Sequence, residues 1–174
     1  MKKNLKLLIE LIKLRIKILQ LQLLIKAGVK VTVPNEPSPK FIVIHHQAGN
    51  WTFSQINNYH RQLWGFRSSL GYYAGYQLML FKDLTMKRAR RDNEEGAHCP
   101  GHNKDSIGIC LEGNYVNEKL SPEFSNYLRK VVDALVLKYG IPRENVIGDK
   151  EGRIPTRPTI CPASLMDWIK DYRK

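Results

Sequence analysis

Residues Phe41-Ile42-Val43-Ile44 form an unbroken apolar run, largely β-branched, that ends in His45-His46. A strand apolar on both faces must be covered on both, so it belongs in the middle of a layered α/β domain and not at an exposed edge. Two further runs read as strands, Gly75–Phe81 (GYQLMLF) and Ser106–Leu111 (SIGICL), with a short one around Val146-Ile147. Helical patterns fall between them. Ser54 is placed to cap a helix carrying Ile56, Tyr59, His60 and Leu63, which stops near Gly65. A longer helix opens at Ser121-Pro122-Glu123 and continues through Phe124, Leu128, Val131, Val132, Leu135 and Tyr139 to Gly140. A last helix is expected over about 163–172. Some connections are too short for crossovers, so the fold class is α/β with a central mixed β-sheet flanked by helices.

The chain of 174 residues is long enough for one such domain with some left over. The excess sits at the N-terminus. Residues 1–40 carry nine Lys/Arg against Glu10 and Glu36, a net +7, while the remainder carries only +5 of the overall +12. Polar residues at Lys6, Glu10, Lys13, Lys17 and Gln20 recur every three or four positions among Leu and Ile. Residues 1–33 therefore read as an amphipathic helix with a wide apolar face. Self-association, docking on the body or contact with a membrane surface through residues 4–26 would each cover that face. Lys13, Arg15 and Lys17 interrupt any clean export signal, and no stretch approaches the ~20 apolar residues of a membrane-spanning helix. Residues 34–39 (PNEPSP) form a stiff linker, and the domain proper is expected over 40–174. Cys99, Cys110 and Cys161 are an odd number and widely spaced, which excludes a disulfide framework and leaves thiol or metal-ligand roles.

Four segments carry groups capable of chemistry: IVIHH (42–46), GYQLML (75–80), GAHCPGHNKDSIGIC (96–110) and GDKEGRIPTRPTICP (148–162). Taken singly, each has an ordinary structural explanation, such as a core tyrosine or a small buried thiol. Taken in order, they resemble the zinc-dependent N-acetylmuramoyl-L-alanine amidase family, which includes peptidoglycan recognition proteins and the T7 lysozyme type. The likeness covers about residues 41–168 and is most specific in GAHCPGHNKDSIGICLEG. It implies Zn²⁺ as cofactor, peptidoglycan as partner and an enzyme that degrades or remodels the cell wall.

The resemblance also implies roles residue by residue. His45 and Cys161 match the family's zinc ligands. Tyr76, after Gly75, matches its catalytic tyrosine, and Thr159 the residue facing the reacting water. His46, His98 and Asn103 fall on the substrate groove. One position departs from the pattern: the family's remaining zinc ligand is a His after Gly, and here that step is Gly148-Asp149. Either Asp149 supplies a carboxylate oxygen instead, or His102 or water substitutes, or the site is impaired. Zinc accepts carboxylate oxygen as well as nitrogen and sulfur. A His/Asp/Cys set carries one more negative charge than His/His/Cys, which should weaken the Lewis acid.

Two other functions are weighed against the amidase. A peptidoglycan-recognition module without catalysis is supported by Asp149 and opposed by the retained Cys161, Tyr76 and Thr159. A nucleic-acid partner is suggested by the net charge and by Lys87-Arg88-Ala89-Arg90-Arg91, expected on a solvated loop, but no nucleic-acid-binding motif accompanies them. Trp51, Trp64, Tyr72 and Tyr73 offer stacking faces for sugars, although core packing is the ordinary role of such residues.

Overall fold

The chain divides between residues 36 and 37, and the structure, a computed structural model, describes residues 38–174 together with Arg15. The expected N-terminal helix (1–33) and most of the linker lie outside the described residues. Five strands form one sheet: β1 (Phe41–His46), β2 (Leu78–Leu80), β3 (Met86–Arg88), β4 (Ser106–Leu111) and β5 (Val146–Gly148). Their order is β3-β2-β4-β1-β5, and all neighbours are parallel except the antiparallel β2–β3 pair. The sheet is mixed, as the short connections require.

β1 sits between β4 and β5, and Ile42, Val43 and Ile44 are wholly buried. Side chains alternate along it. Ile42 and Ile44 join Ile107, Ile109, Leu111 and the apolar stripe Phe124, Leu128, Val132 and Leu135 of helix α2 (Pro122–Tyr139). Leu165, Met166, Ile169 and Tyr172 of the C-terminal helix α4 (Leu165–Tyr172) cover the same layer. A second, smaller cluster holds Met79, Cys110 and Ala74 together with Ile56 of α1 (Phe53–Trp64).

Several elements differ from the sequence reading. The cap of α1 is Thr52, not Ser54: its hydroxyl accepts from Gln55 N–H and Gln55 Oε1 accepts from Thr52 N–H in return. The strand expected over 75–81 is reduced to Leu78–Leu80, because Gly75 is held in a bend. The basic segment 87–91 is not a solvated loop. Met86–Arg88 is the sheet's edge strand, and Arg90 is fully buried, donating to the carbonyls of Phe66, Ala74 and Glu95. A four-residue helix, α3 (Asp149–Gly152), has no counterpart in the periodicity.

Candidate metal centre

Parallel register builds the site. Ile44 pairs with Gly148 across β1 and β5, so the next residues, His45 and Asp149, emerge side by side at the carboxyl end of the sheet. This is the end at which open parallel sheets place ligands. Cys161 is returned to the same point by its carbonyl, which accepts from Lys150 N–H at 2.8 Å. The ligand atoms of His45, Asp149 and Cys161 lie within 4.8 Å of one another. His45 Nδ1 is 3.6 Å from Asp149 Oδ2 and 3.8 Å from Cys161 Sγ. Tetrahedral zinc at ~2.0 Å from nitrogen or oxygen and ~2.3 Å from sulfur would separate such atoms by ~3.3–3.5 Å. The two His45 separations are close to these values, and the set can hold a metal ion once Asp149 and Cys161, which lie within 4.8 Å of each other, close on it. His102, the alternative ligand, is elsewhere: its Nδ1 is 3.1 Å from Asp105 and its ring packs on Phe41.

His45 can present Nδ1 to a metal because its other nitrogen has a partner. Nε2 lies 3.0 Å from His98 Nδ1, so with Nδ1 on a metal the Nε2–H donates there, whereas without one Nδ1 faces Asp149 Oδ2 at 3.6 Å. The proton of His98 is then on Nε2, which is 3.5 Å from Ser106 Oγ, and Ser106 donates onward to the His102 carbonyl. Burial, then the neighbouring His45, pushes the His98 pKa well below its ordinary value, so this ring stays neutral and able to accept. Glycines make room for it. A Cβ at Gly96 would stand 2.4 Å from the His98 ring, and one at Gly108 2.7 Å from it. The G-A-H and S-I-G steps of the segment thus form the walls of one imidazole slot.

Asp149 is 2% exposed. Burial opposes its ionisation, but hydrogen bonding and charge from His45 and Arg153 outweigh that and hold its pKa down to about 2. Arg153 grips the carboxylate with both arms, Nε to Oδ1 at 3.0 Å and Nη2 to Oδ2 at 2.6 Å. It also donates to the His98 carbonyl at 3.3 Å. Arg153 is the site residue that sequence reasoning missed. Its signal was the Asp-x-x-x-Arg spacing, which brings two side chains together only if the intervening residues are helical.

The remaining candidates line a cleft of ~610 Å³ that opens over the cluster. Tyr76 has its ring 5.2 Å from His45. Burial, followed by the nearby Cys110 and Cys161, pushes its phenol well above the ordinary value, so it remains a proton donor. Gly75 positions it: Gly75 N–H donates to His60 Nδ1 at 2.9 Å, and a Cβ there would stand 2.2 Å from the Ala97 carbonyl. Thr159 Oγ1 accepts from Cys161 N–H at 3.1 Å, which leaves its own proton available to the cleft. His46 and Asn103 line the cleft but are also structural. His46 Nδ1 accepts from Tyr115 N–H, and Asn103 Oδ1 accepts from the backbone of His98 and Cys99. All three cysteines are free thiols. Trp51, Trp64 and Tyr72 are exposed, against the core packing ordinarily expected of them.

The parallel-centred α/β sheet thus carries, at its carboxyl end, a His/Asp/Cys cluster able to hold a metal ion beneath a cleft that Tyr76 helps to line. Residues 35–164 match the N-acetylmuramoyl-L-alanine amidase family, and the chain belongs to it. It is 28% identical over 106 residues to an endolysin of Enterobacteria phage K11, covering 55% of this chain and 64% of that protein. It is 27% identical over 118 residues to peptidoglycan-recognition protein SC1a of Drosophila melanogaster, covering 63% of this chain and 61% of the relative. The chain thus spans less than two thirds of the length of these curated relatives. The solved N-acetylmuramoyl-L-alanine amidase LysC from Clostridium intestinale superposes with a TM-score of 0.65 at 31% identity, covering 77% of this chain and 84% of that one.

Proposed function

We propose that this protein hydrolyses the amide between the lactyl group of N-acetylmuramic acid and L-alanine in peptidoglycan, with Zn²⁺ held by His45, Asp149 and Cys161. The observation that carries this is the convergence of these three donors at ligand spacing beneath the Tyr76 cleft. When bound, zinc supplies a Lewis acid for the amide carbonyl and lowers the pKa of coordinated water toward ~7. The protein's own groups do the rest. Tyr76, kept protonated by burial, donates a hydrogen bond to the developing oxyanion and relays the proton shed by the attacking water to the leaving amine, so that the phenol ends as it began. Thr159 orients the attacking water through its free hydroxyl proton. His98 accepts the Nε2 proton of His45 when Nδ1 is on the metal.

Asp149 replaces a neutral ligand by an anionic one, and Arg153 offsets the added charge. The ligand set plus Arg153 carries the same net charge as His/His/Cys, so the Lewis acidity lost to the carboxylate is largely recovered. Purified peptidoglycan should release new L-alanine amino termini in the presence of zinc, and chelation should stop the release. Wall binding without new termini at any zinc level would overturn the amidase reading.

A second reading, recognition of peptidoglycan without hydrolysis, is favoured by one feature: the bidentate Asp149–Arg153 pair satisfies the carboxylate without a metal. It predicts tight binding to walls that is indifferent to chelator.

A further inference from the structure

The segment that delivers Tyr76 to the cleft is not held by the sheet. β2 begins at Leu78, and residues 72–77 belong to neither strand nor helix. Three consecutive amide groups in this stretch are satisfied by side chains of one helix instead. Asn57 Oδ1 accepts from Tyr73 N–H at 2.6 Å and from Ala74 N–H at 3.2 Å, and His60 Nδ1 accepts from Gly75 N–H at 2.9 Å. Asn57 and His60 stand three apart on α1 and so share a face. All the donors are backbone N–H groups, which settles the roles: the amide oxygen of Asn57 and an unprotonated Nδ1 of His60 must accept.

The His60 ring is in the state that this requires. Burial, then the charge of Arg90, lowers its pKa to about 4, so it is neutral at ordinary pH. It is buried between Trp64 and Tyr76, with ring centroids 4.3 Å and 5.5 Å away. One imidazole thus packs beside the phenol and also binds the backbone that precedes it. The Gly75 carbonyl in turn accepts from Ala97 N–H at 2.9 Å, next to His98. The fit is close, since a Cβ at Gly75 would stand 2.2 Å from the Ala97 carbonyl oxygen and 3.2 Å from Trp64. The clamp stands on a fixed base: α1 carries a reciprocal Thr52–Gln55 cap, and its Ile56 packs with Met79 and Cys110. Acceptors borne on such a helix place a loop residue with the precision of the scaffold.

We propose that Asn57 and His60 are positioning residues for Tyr76: they fix the backbone of residues 73–75 and thereby where the phenol stands over the metal cluster. This rests on the amidase reading for what Tyr76 does. The test uses the full zinc-loaded chain on soluble N-acetylmuramoyl peptides. His60→Leu removes the acceptor, and His60→Asn restores one, because Asn Oδ1 hangs from Cγ where Nδ1 does in histidine. The leucine variant should lose kcat ~10–100-fold, the usual cost of a misplacement of about 1 Å, with KM within about twofold of wild type. The asparagine variant should recover most of that loss. In a Tyr76→Phe background, His60→Leu should lower kcat by less than about twofold further, because the group it acts through is gone. A readout independent of turnover is the Tyr76 ring resonance in protein carrying isotope-labelled tyrosine, assigned by its loss in Tyr76→Phe. It should shift in His60→Leu and return in His60→Asn. If His60→Leu does not fold, Asn57→Leu carries the same predictions. An undiminished loss in the Tyr76→Phe background, an asparagine variant as slow as the leucine one, or an unmoved Tyr76 resonance would overturn the clamp. A wild type that hydrolyses nothing at any zinc level sinks the amidase alone, and the ring resonance then decides the clamp.

Discussion

The imidazole of His98 lies between two glycines and is bonded on one side to His45 and on the other to Ser106. A methyl group at Gly108 would meet the ring at 2.7 Å, where the surrounding buried strand gives little room to yield. Gly108→Ala should cost about 1–3 kcal/mol in a denaturant melt, the usual result of overpacking. The same variant should lower zinc affinity ~10–100-fold, as loss of an outer hydrogen bond to a metal-binding histidine does. Arg153 gives a second prediction. Removing one partner of a buried pair leaves the other charge uncompensated, so metal-free Arg153→Gln should lose about 3 kcal/mol at neutral pH. Equal melts of Arg153→Gln and wild type would show that His45 alone satisfies Asp149. At this scale the sequence singled out His45, Asp149 and Cys161 as candidates by motif order. It concealed Arg153, because its proximity to Asp149 depends on α3, too short to show a helical period.

The long helix α2 is the element most fully written in local chemistry. Ser121 Oγ accepts from Phe124 N–H at 3.2 Å, Pro122 opens the first turn, and Gly140 closes the helix with φ +64°. Ser121→Ala should therefore destabilise the domain by ~1 kcal/mol, read as a shift in urea midpoint without a change in slope. Central strands were legible too, since β1 and β4 are buried on both faces and read as apolar runs. β3 was not. Met86, Lys87 and Arg88 are all exposed, and the strand is held by pairing with β2 and by Asp92. Asp92 accepts from Arg88 as well as from Lys138 and Tyr139 of α2. Nothing in a basic tripeptide announces such partners. Likewise Thr52 and Ser54 are equivalent caps on paper, and only the reciprocal bond with Gln55 selects Thr52.

For the whole domain, three of the four buried histidines among the described residues contribute to the response to mild acid. The pKa values of His46, His60 and His98 are all lowered, burial being the first cause in each. For His60 the folded value is about 4 against an ordinary 6.5. The unfolded chain takes up a proton as pH falls through 6.5, while the folded protein does so only near 4. Stability from this group is therefore complete above pH 6.5 and is lost as pH falls toward 4, by about 3 kcal/mol in all. Urea midpoints of the metal-free protein should fall steadily from pH 7 to 4, and His60→Gln should flatten that slope. A midpoint independent of pH would contradict the account.

If Asp149 completes a metal site in place of the family's histidine, zinc affinity must depend on its carboxylate. Equilibrium zinc titration against a chelator of known affinity, on wild type and Asp149→Ala, reads this out. One tightly held zinc per wild-type chain is expected, with a loss of at least a hundredfold in affinity for the variant. Equal affinity in the two proteins, or no stoichiometric zinc in the wild type, would show that Asp149 is not a ligand.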